Sequence, residues 1–360
     1  FVINRWDLRW FQLLPGARPL ALGNYPDFMA EAGPDAEKQV NKEGCVPLEF
    51  KKLASRAQGI HRLGILRMDV DNLGSIFTFR LQERSLVHRM ALSRAMTRFF
   101  KLHLNELCRA TQDGVFPNGK GQTSLIGPTG FKERQAIIIY SGGDDLFIVG
   151  AWDDVTELAF DIHEAFDTYT GERVTLSAGM IVQDHNFPLY QMARFSKKAL
   201  NAAKENSRAT NADKPEKDSF ALLHPTQILE LIGDDLQAHE PAALRWTGQV
   251  SAQSWVELTQ QMAECLGNGE SGEGWELKSP RGFLRNLFSI VETAHQEGQL
   301  PLPKMAYALS RISFADKEQQ KRYQLIAKQL MSLETLSYLH PALVWLEMRA
   351  RGAGEEEGQP

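Results

Sequence analysis

Residues 135–152 read QAIIIYSGGDDLFIVGAW, two apolar runs separated by a short turn that carries glycine and aspartate. Isoleucine, tyrosine, phenylalanine and valine favour a pleated backbone and paired glycines mark a reversal, so the stretch predicts a β-hairpin turning at SGGD. Glycine serves such a turn because it takes positive φ at no steric cost and lets a phosphate chain approach the backbone. A purely structural turn needs no carboxylates, and the adjacent Asp144 and Asp145 repel each other.

Upstream, RLGILRMDV (62–70) reads as a strand, and residues 86–108 set Leu86, Met90, Met96, Phe99, Phe100, Leu104 and Leu107 at helical spacing. A Gly/Pro-rich stretch, 113–130, separates that helix from the hairpin. Downstream, Asp153 is placed to cap a helix whose Val155, Leu158, Ala159, Ile162 and Phe166 share one face. VTLSAGMIV (174–182) reads as a fourth strand, followed by a helix over 189–207. The order βαββαβ plus a helix is the split-βαβ, ferredoxin-like arrangement, an α+β fold.

That topology predicts convergence. A crossover helix makes the first two strands parallel, with the third running back between them. Asp69 and Asp71, at the end of the first strand, then share one sheet edge with Asp144 and Asp145. MDVDN alone is ordinarily a solvated turn, but two acidic clusters on one edge point to a metal site. Mg²⁺ takes hard oxygen ligands, a preference shared by Mn²⁺, and two such ions about 3.5–4 Å apart serve phosphoryl and nucleotidyl transfer. Lys204 and Arg208, four residues apart on one helix face, are placed to hold a triphosphate. The alternative for them is a solvated basic surface with Glu205 nearby.

The chain has 360 residues, 43% of them hydrophobic, enough for a sizeable core in two domains or a little more. A net charge of -5 argues against a surface coated in basic residues, so nucleic-acid contact is expected from a local patch or a partner. Cys45, Cys108 and Cys265 form no CxxC pair and read as buried apolar residues, which suits the cytoplasm. No apolar run is long enough to cross a bilayer and no signal-peptide pattern opens the chain, so no membrane role is expected. Phe1 stands where a start methionine would, and the opening reads as a portion of a longer protein. After Lys217 the text turns helical, with TQILELI, WVELTQQMAECL, RGFLRNLFSIVETA, KMAYALSRI and 317–348.

LGILRMDVDNLGSIF, YSGGDDLFIVG, VTLSAGMIV and the AAKENSR helix together resemble the GGDEF-like palm shared by diguanylate cyclases and the large subunit of type III CRISPR-Cas complexes. The Csm-type, subtype A subunit is the nearer likeness, since LGNYPDF resembles its linker domain and RWTGQVSAQSWVEL and SPRGFLRNLFSIVE resemble its C-terminal helices. The resemblance, together with the polar composition of GAGEEEGQP at the end, implies four parts: a linker or small domain over 1–60, a GGDD palm over 61–215, a helical domain over 216–350 and a disordered tail over 351–360. It further implies a cyclic oligoadenylate synthase that polymerises ATP with two Mg²⁺ or Mn²⁺ ions once its complex has captured target RNA. CRISPR RNA, target RNA and Csm-type neighbouring subunits are the implied partners.

On matching positions only, Asp69, Asp144 and Asp145 become catalytic metal-binding residues and Asp71 part of the same metal motif. Ser141, Gly142 and Gly143 line the nucleotide, with Lys204 and Arg208 at the triphosphate. Diguanylate cyclases read guanine through an Asn and an acidic residue where this chain has Phe77 and a position near Leu86, so a guanine site is not expected. No HD dipeptide is present, so the family's DNA-cutting site is not expected in this chain. His61, His88, His103, His163 and His185 read as surface or core residues. Two alternatives stay open: a free-standing nucleotide cyclase, and a structural subunit that docks neighbours and only binds ATP.

Overall fold

The computed structural model describes residues 2–3, 19–20, 49–80, 86–109, 122–126, 132–206, 217–223, 242–267, 277 and 281–351. At its centre lie β1 Leu63–Val70, β2 Ala136–Ser141, β3 Asp145–Ala151, β4 Leu176–Gln183, β5 Ser219–Leu223 and β6 Ala242–Arg245, in the spatial order β2-β3-β1-β4-β5-β6. β3 pairs antiparallel with both β1 and β2, so those two run parallel with β3 returning between them, as the hairpin and crossover predict. β4 lies antiparallel to β1 on its other side. The α+β, ferredoxin-like reading is therefore the observed one.

Two strands of this sheet were not foreseen. β5 joins β4 in parallel and β6 joins β5 antiparallel, so the sheet continues past residue 215, where helices alone were expected. SFALL and AALR are too short for periodicity to separate strand from helix.

The helices among the described residues begin with α1 Phe50–Ser55 and the crossover, built of α2 Leu86–Arg98, a π-helical turn Phe99–His103 and α3 Leu104–Arg109. α4 Trp152–Thr170 and α5 Leu189–Glu205 complete the palm. α6 Ala252–Leu266, α7 Arg281–Glu297, α8 Leu302–Ser310, α9 Lys317–Leu330 and α10 Leu333–Ala350 follow.

Strand alternation sorts the side chains onto two faces. Leu66, Met68, Val70, Leu146 and Ile148 pack with the crossover and α4, through Phe99, Phe100, Val155, Leu158 and Ile162. Leu63, Ile65, Phe147 and Val149 face the opposite way, onto Met192, Phe195 and Ala199 of α5. The α5 backbone at Ala199 and Leu200 occupies the place where a Cβ on Gly179 would stand, so glycine sets the closeness of this packing. The C-terminal helices share the first core: Trp152 meets Trp345 of α10 edge-on at 5.2 Å, and Ile60 donates its N–H to the Met348 carbonyl at 3.0 Å. Each large apolar side chain so buried contributes about 1.5–3 kcal/mol.

Three local expectations change. α4 begins at Trp152, so Asp153 lies inside its first turn and accepts from the Gln58 N–H at 3.3 Å instead of capping the helix. The start of the crossover is not core: Leu86 and Val87 are 71% and 70% exposed. α5 ends at Glu205, two residues before the expected limit. Cys108 and Cys265 are buried and unbonded, as an apolar role requires. No helix among the described residues is long and apolar enough to cross a membrane. Most of 1–60, TQILELI, Cys45 and the tail from 352 lie outside the described residues.

Candidate active site

Register delivers the acidic edge. Asp69 stands directly opposite Asp145 on β3 and opposite Ser177 on β4. Val70 donates its N–H to the Asp144 carbonyl at 2.9 Å, which carries the ladder one step into the turn. Asp69 and Asp145 both fall on the α5 face of the sheet, in step with Leu63, Ile65, Phe147 and Val149.

The glycines serve this turn differently from the positive-φ expectation, because neither Gly142 nor Gly143 adopts positive φ. Gly142 closes the turn by donating its N–H to the Asp145 carbonyl at 2.7 Å. A Cβ there would stand 2.6 Å from Asp145 Oδ1, so the missing side chain keeps that carboxylate oxygen clear. Gly143 is exposed, with only Thr97 Oγ1 as near as 4.0 Å to a Cβ position.

Charge is concentrated here. The Asp144 carboxyl is pushed above the usual range by partial burial and by the neighbouring Asp69 and Asp145, with Lys204 opposing the shift. Lys204, in the last turn of α5, sets its ammonium 2.7 Å from Asp69 Oδ1. Tyr140 donates its hydroxyl to Asp145 Oδ2 at 2.6 Å and accepts from Arg67 Nη2 at 2.8 Å. Among the described residues no three His, Cys, Asp or Glu side chains already sit close enough to hold an ion. The donor chemistry nonetheless fits a hard divalent cation, since Asp69, Asp144 and Asp145 offer only carboxylate oxygens whose mutual repulsion a cation relieves.

The remaining expected residues divide. Asp71 is not on the edge but beneath it, 2% exposed; its Oδ2 accepts from Thr175 Oγ1, Ser177 Oγ and the Asp218 N–H at 3.0, 2.9 and 3.1 Å. Burial raises its carboxyl above the ordinary range, against those three hydrogen bonds. Ser141 donates its hydroxyl to the Phe100 carbonyl at 2.6 Å, in the π-helical turn of the crossover. Arg208 lies outside the described residues. Arg67 and Tyr140 were missed by the sequence reading. Strand period places Arg67 on the face of Asp69, a signal that was available; no such signal existed for Tyr140.

Residues 62–212 match the family described as Cas10/Cmr2, second palm domain. A CRISPR system single-strand-specific deoxyribonuclease Cas10/Csm1 (subtype III-A) from Mycobacterium tuberculosis is 38% identical over 153 residues, 41% of this chain and 18% of that protein. Its counterpart from Thermococcus onnurineus is 35% identical over 196 residues, 54% of this chain and 23% of that protein. The aligned stretches thus cover about a fifth of the length of these curated relatives. In fold it is similar to the solved Csm1-Csm4 cassette in complex with pppApApA, with a TM-score of 0.63, 24% identity, and coverage of 94% of this chain and 43% of that one. The Csm1-Csm4 cassette in complex with cA4 gives a TM-score of 0.64 at 23% identity, covering 94% and 43%. The palm described here, with its GGDD turn on a six-stranded sheet, is similar over residues 62–212 to the Cas10/Cmr2 second palm domain, in a chain similar to the subtype III-A Cas10/Csm1 proteins.

Proposed function

We propose that this palm joins ATP into cyclic oligoadenylate by 3′-5′ nucleotidyl transfer, as the catalytic part of a type III CRISPR effector complex that responds to target RNA. One observation carries the reading: Asp69 and Asp145 are paired in register, with Asp144 next to Asp145 in the turn from β2 to β3. These three carboxylates would hold Mg²⁺ or Mn²⁺, which when bound supply charge for the triphosphate and activate a hydroxyl at neutral pH. Asp71, lying beneath, ties the strand end to β4 and to the turn at Asp218 through its Oδ2.

Lys204 neutralises Asp69 and stands ready to pair with a phosphate oxygen instead. Gly143, exposed and without a side chain, leaves room for the phosphate chain. Ser141 already spends its proton on Phe100, so it offers only lone pairs and suits a ribose hydroxyl better than a phosphate. Arg208, four residues beyond Lys204, is assigned to the triphosphate.

The fold neighbours include Csm1-Csm4 cassettes in complex with one ATP, with pppApA and with cA3. A Csm4-like subunit, CRISPR RNA and target RNA are accordingly the proposed partners, in the cytoplasm. The deoxyribonuclease activity in the relatives' name belongs to proteins of which the aligned stretches cover about a fifth, and we do not assign it to this edge.

The test is incubation of the assembled complex with ATP, Mg²⁺ and target RNA, followed by chromatography of the products. Cyclic adenylates that require target RNA, and that vanish when Asp144 and Asp145 are both replaced by alanine, are expected. Synthesis retained in a folded double variant removes the proposal. ATP bound without any product favours a docking subunit.

A further inference from the structure

The β2–β3 ladder pairs Ala136 with Gly150, Ile137 with Val149 and Ile138 with Ile148. Regular continuation would pair Ile139 with Phe147 and Tyr140 with Leu146, turning Tyr140 to the crossover face of the sheet. Instead the register shifts: Tyr140 pairs with Phe147 and Ser141 with Leu146, leaving Ile139 as one extra residue. Such a bulge re-aims the side chain that follows it. Here it keeps Tyr140 on the α5 face, which Arg67, Asp69, Asp145 and Phe147 share.

The re-aimed hydroxyl lands in a three-member relay. Arg67 Nη2 donates to Tyr140 Oη at 2.8 Å, and Tyr140 Oη donates to Asp145 Oδ2 at 2.6 Å. The guanidinium is itself held, 5.7 Å from the Tyr140 ring centre, 5.6 Å from that of Phe147, and 3.5 Å from the Ala193 carbonyl through Nη1. A cation behind a hydroxyl strengthens the hydrogen bond that hydroxyl donates. One oxygen of Asp145 is thereby fixed by Tyr140, and the other lies beside Gly142, where no Cβ blocks it.

We propose that Tyr140, backed by Arg67 and turned by the bulge at Ile139, is the positioning residue that sets the orientation of the Asp145 carboxylate for the ion and nucleotide it holds. This rests on the proposed function of the edge. Tyr140 acts through Asp145, as outer hydrogen-bond partners of metal ligands do.

The test uses the full chain carrying Tyr140→Phe, Arg67→Gln, Asp145→Asn, or Tyr140→Phe with Asp145→Asn. Affinity for Mn²⁺ alone is read by the electron paramagnetic resonance of free Mn²⁺, and thermal unfolding checks the fold. Tyr140→Phe keeps the ring and its packing, so it is expected to unfold like the parent yet bind Mn²⁺ about tenfold more weakly. Arg67→Gln is expected to weaken binding less. In the Asp145→Asn background, Tyr140→Phe is expected to change nothing further, the non-additivity of residues acting through one group. A purely structural tyrosine would not give that pattern.

Parental Mn²⁺ affinity in Tyr140→Phe, or its full effect persisting in the Asp145→Asn background, overturns the assignment of Tyr140. Parental affinity in Asp145→Asn overturns instead the reading of the edge as an ion site. The two failures are therefore distinct.

Discussion

Lys204 closes α5 with its ammonium 2.7 Å from Asp69 Oδ1, so the helix that covers one face of the sheet also supplies the cation at its acidic edge. A cation in the last turn of a helix is favoured by the helix dipole, and here it also offsets the crowding of Asp69, Asp144 and Asp145. The pair is only partly buried, so its direct worth to stability is roughly 0–1 kcal/mol. Lys204→Met is therefore expected to unfold within about 1 kcal/mol of the parent while its KM for ATP rises on the order of tenfold, more than kcat falls. Steady-state kinetics of the assembled complex, alongside thermal unfolding, measure the split. An unchanged KM would leave Lys204 as a charge partner of Asp69 alone.

Gly142→Ala and Gly143→Ala separate two uses of glycine one residue apart. A methyl at 142 would stand 2.6 Å from Asp145 Oδ1, whereas one at 143 meets nothing closer than Thr97 Oγ1 at 4.0 Å. Neither residue has positive φ, so backbone strain does not enter for either. Gly142→Ala is expected to cost at least about tenfold in nucleotide synthesis through displacement of Asp145, and Gly143→Ala less than about threefold. Equal effects from the two would show that the Asp145 oxygen does not need that space.

The sheet and its acidic edge were legible because each rests on a short-range signal. The strand-like run RLGILRMDV, the apolar runs flanking SGGD and the helical spacing of α4 all survive in the fold, and crossover topology then forces Asp69 toward Asp145. What was not legible depends on pairing. β5 and β6 are strands because β4 offers an edge to them, and SFALL and AALR do not announce it. The bulge at Ile139 is likewise invisible in QAIIIY, yet it decides which face Tyr140 takes. Asp71 shares the metal motif of Asp69 in sequence, and only the closure of β4 and the turn at Asp218 over it shows that it lies beneath the edge.

That buried position makes Asp71 a stability residue. Its Oδ2 gathers two hydroxyls and the N–H of Asp218, which with Lys217 forms a pair of consecutive non-glycine residues at positive φ, 42° and 88°. Asp71→Ala strands all three donors and is expected to cost roughly 3 kcal/mol. Asp71→Asn keeps an acceptor for them and is expected to cost about 1 kcal/mol, with Mn²⁺ affinity near that of the parent. Urea unfolding and Mn²⁺ titration of the two variants check this, and an Asp71→Asn variant that folds well but no longer binds Mn²⁺ would return Asp71 to the ligand set.

Behind the hairpin, a buried cluster ties the start of α4 to the segment leading into β2. Arg134, fully enclosed, pairs with Asp161 at 2.8 Å and with Glu157 and Asp154, while Lys132 reaches Asp154 at 2.7 Å. Asp153 sits beside this group, and among the described residues its Oδ1 is buried with no hydrogen-bond partner. Burial, with Asp154 and Glu157 adding to it, pushes its carboxyl from 3.8 up to about 7. A carboxyl that titrates higher folded than unfolded holds its proton more tightly in the native state, so it lowers stability progressively as pH rises between those values. The penalty is absent below about pH 4 and complete above about pH 7. Asp153→Asn keeps an acceptor for the Gln58 N–H and removes the charge, so its stabilisation should grow across that window and then level off. Thermal unfolding of parent and variant at pH 4, 6 and 8 is expected to show little difference at the first, and at the last a higher melting temperature for the variant, by at least a few degrees. A difference that is flat with pH would mean that Asp153 keeps an ordinary carboxylate titration despite its burial.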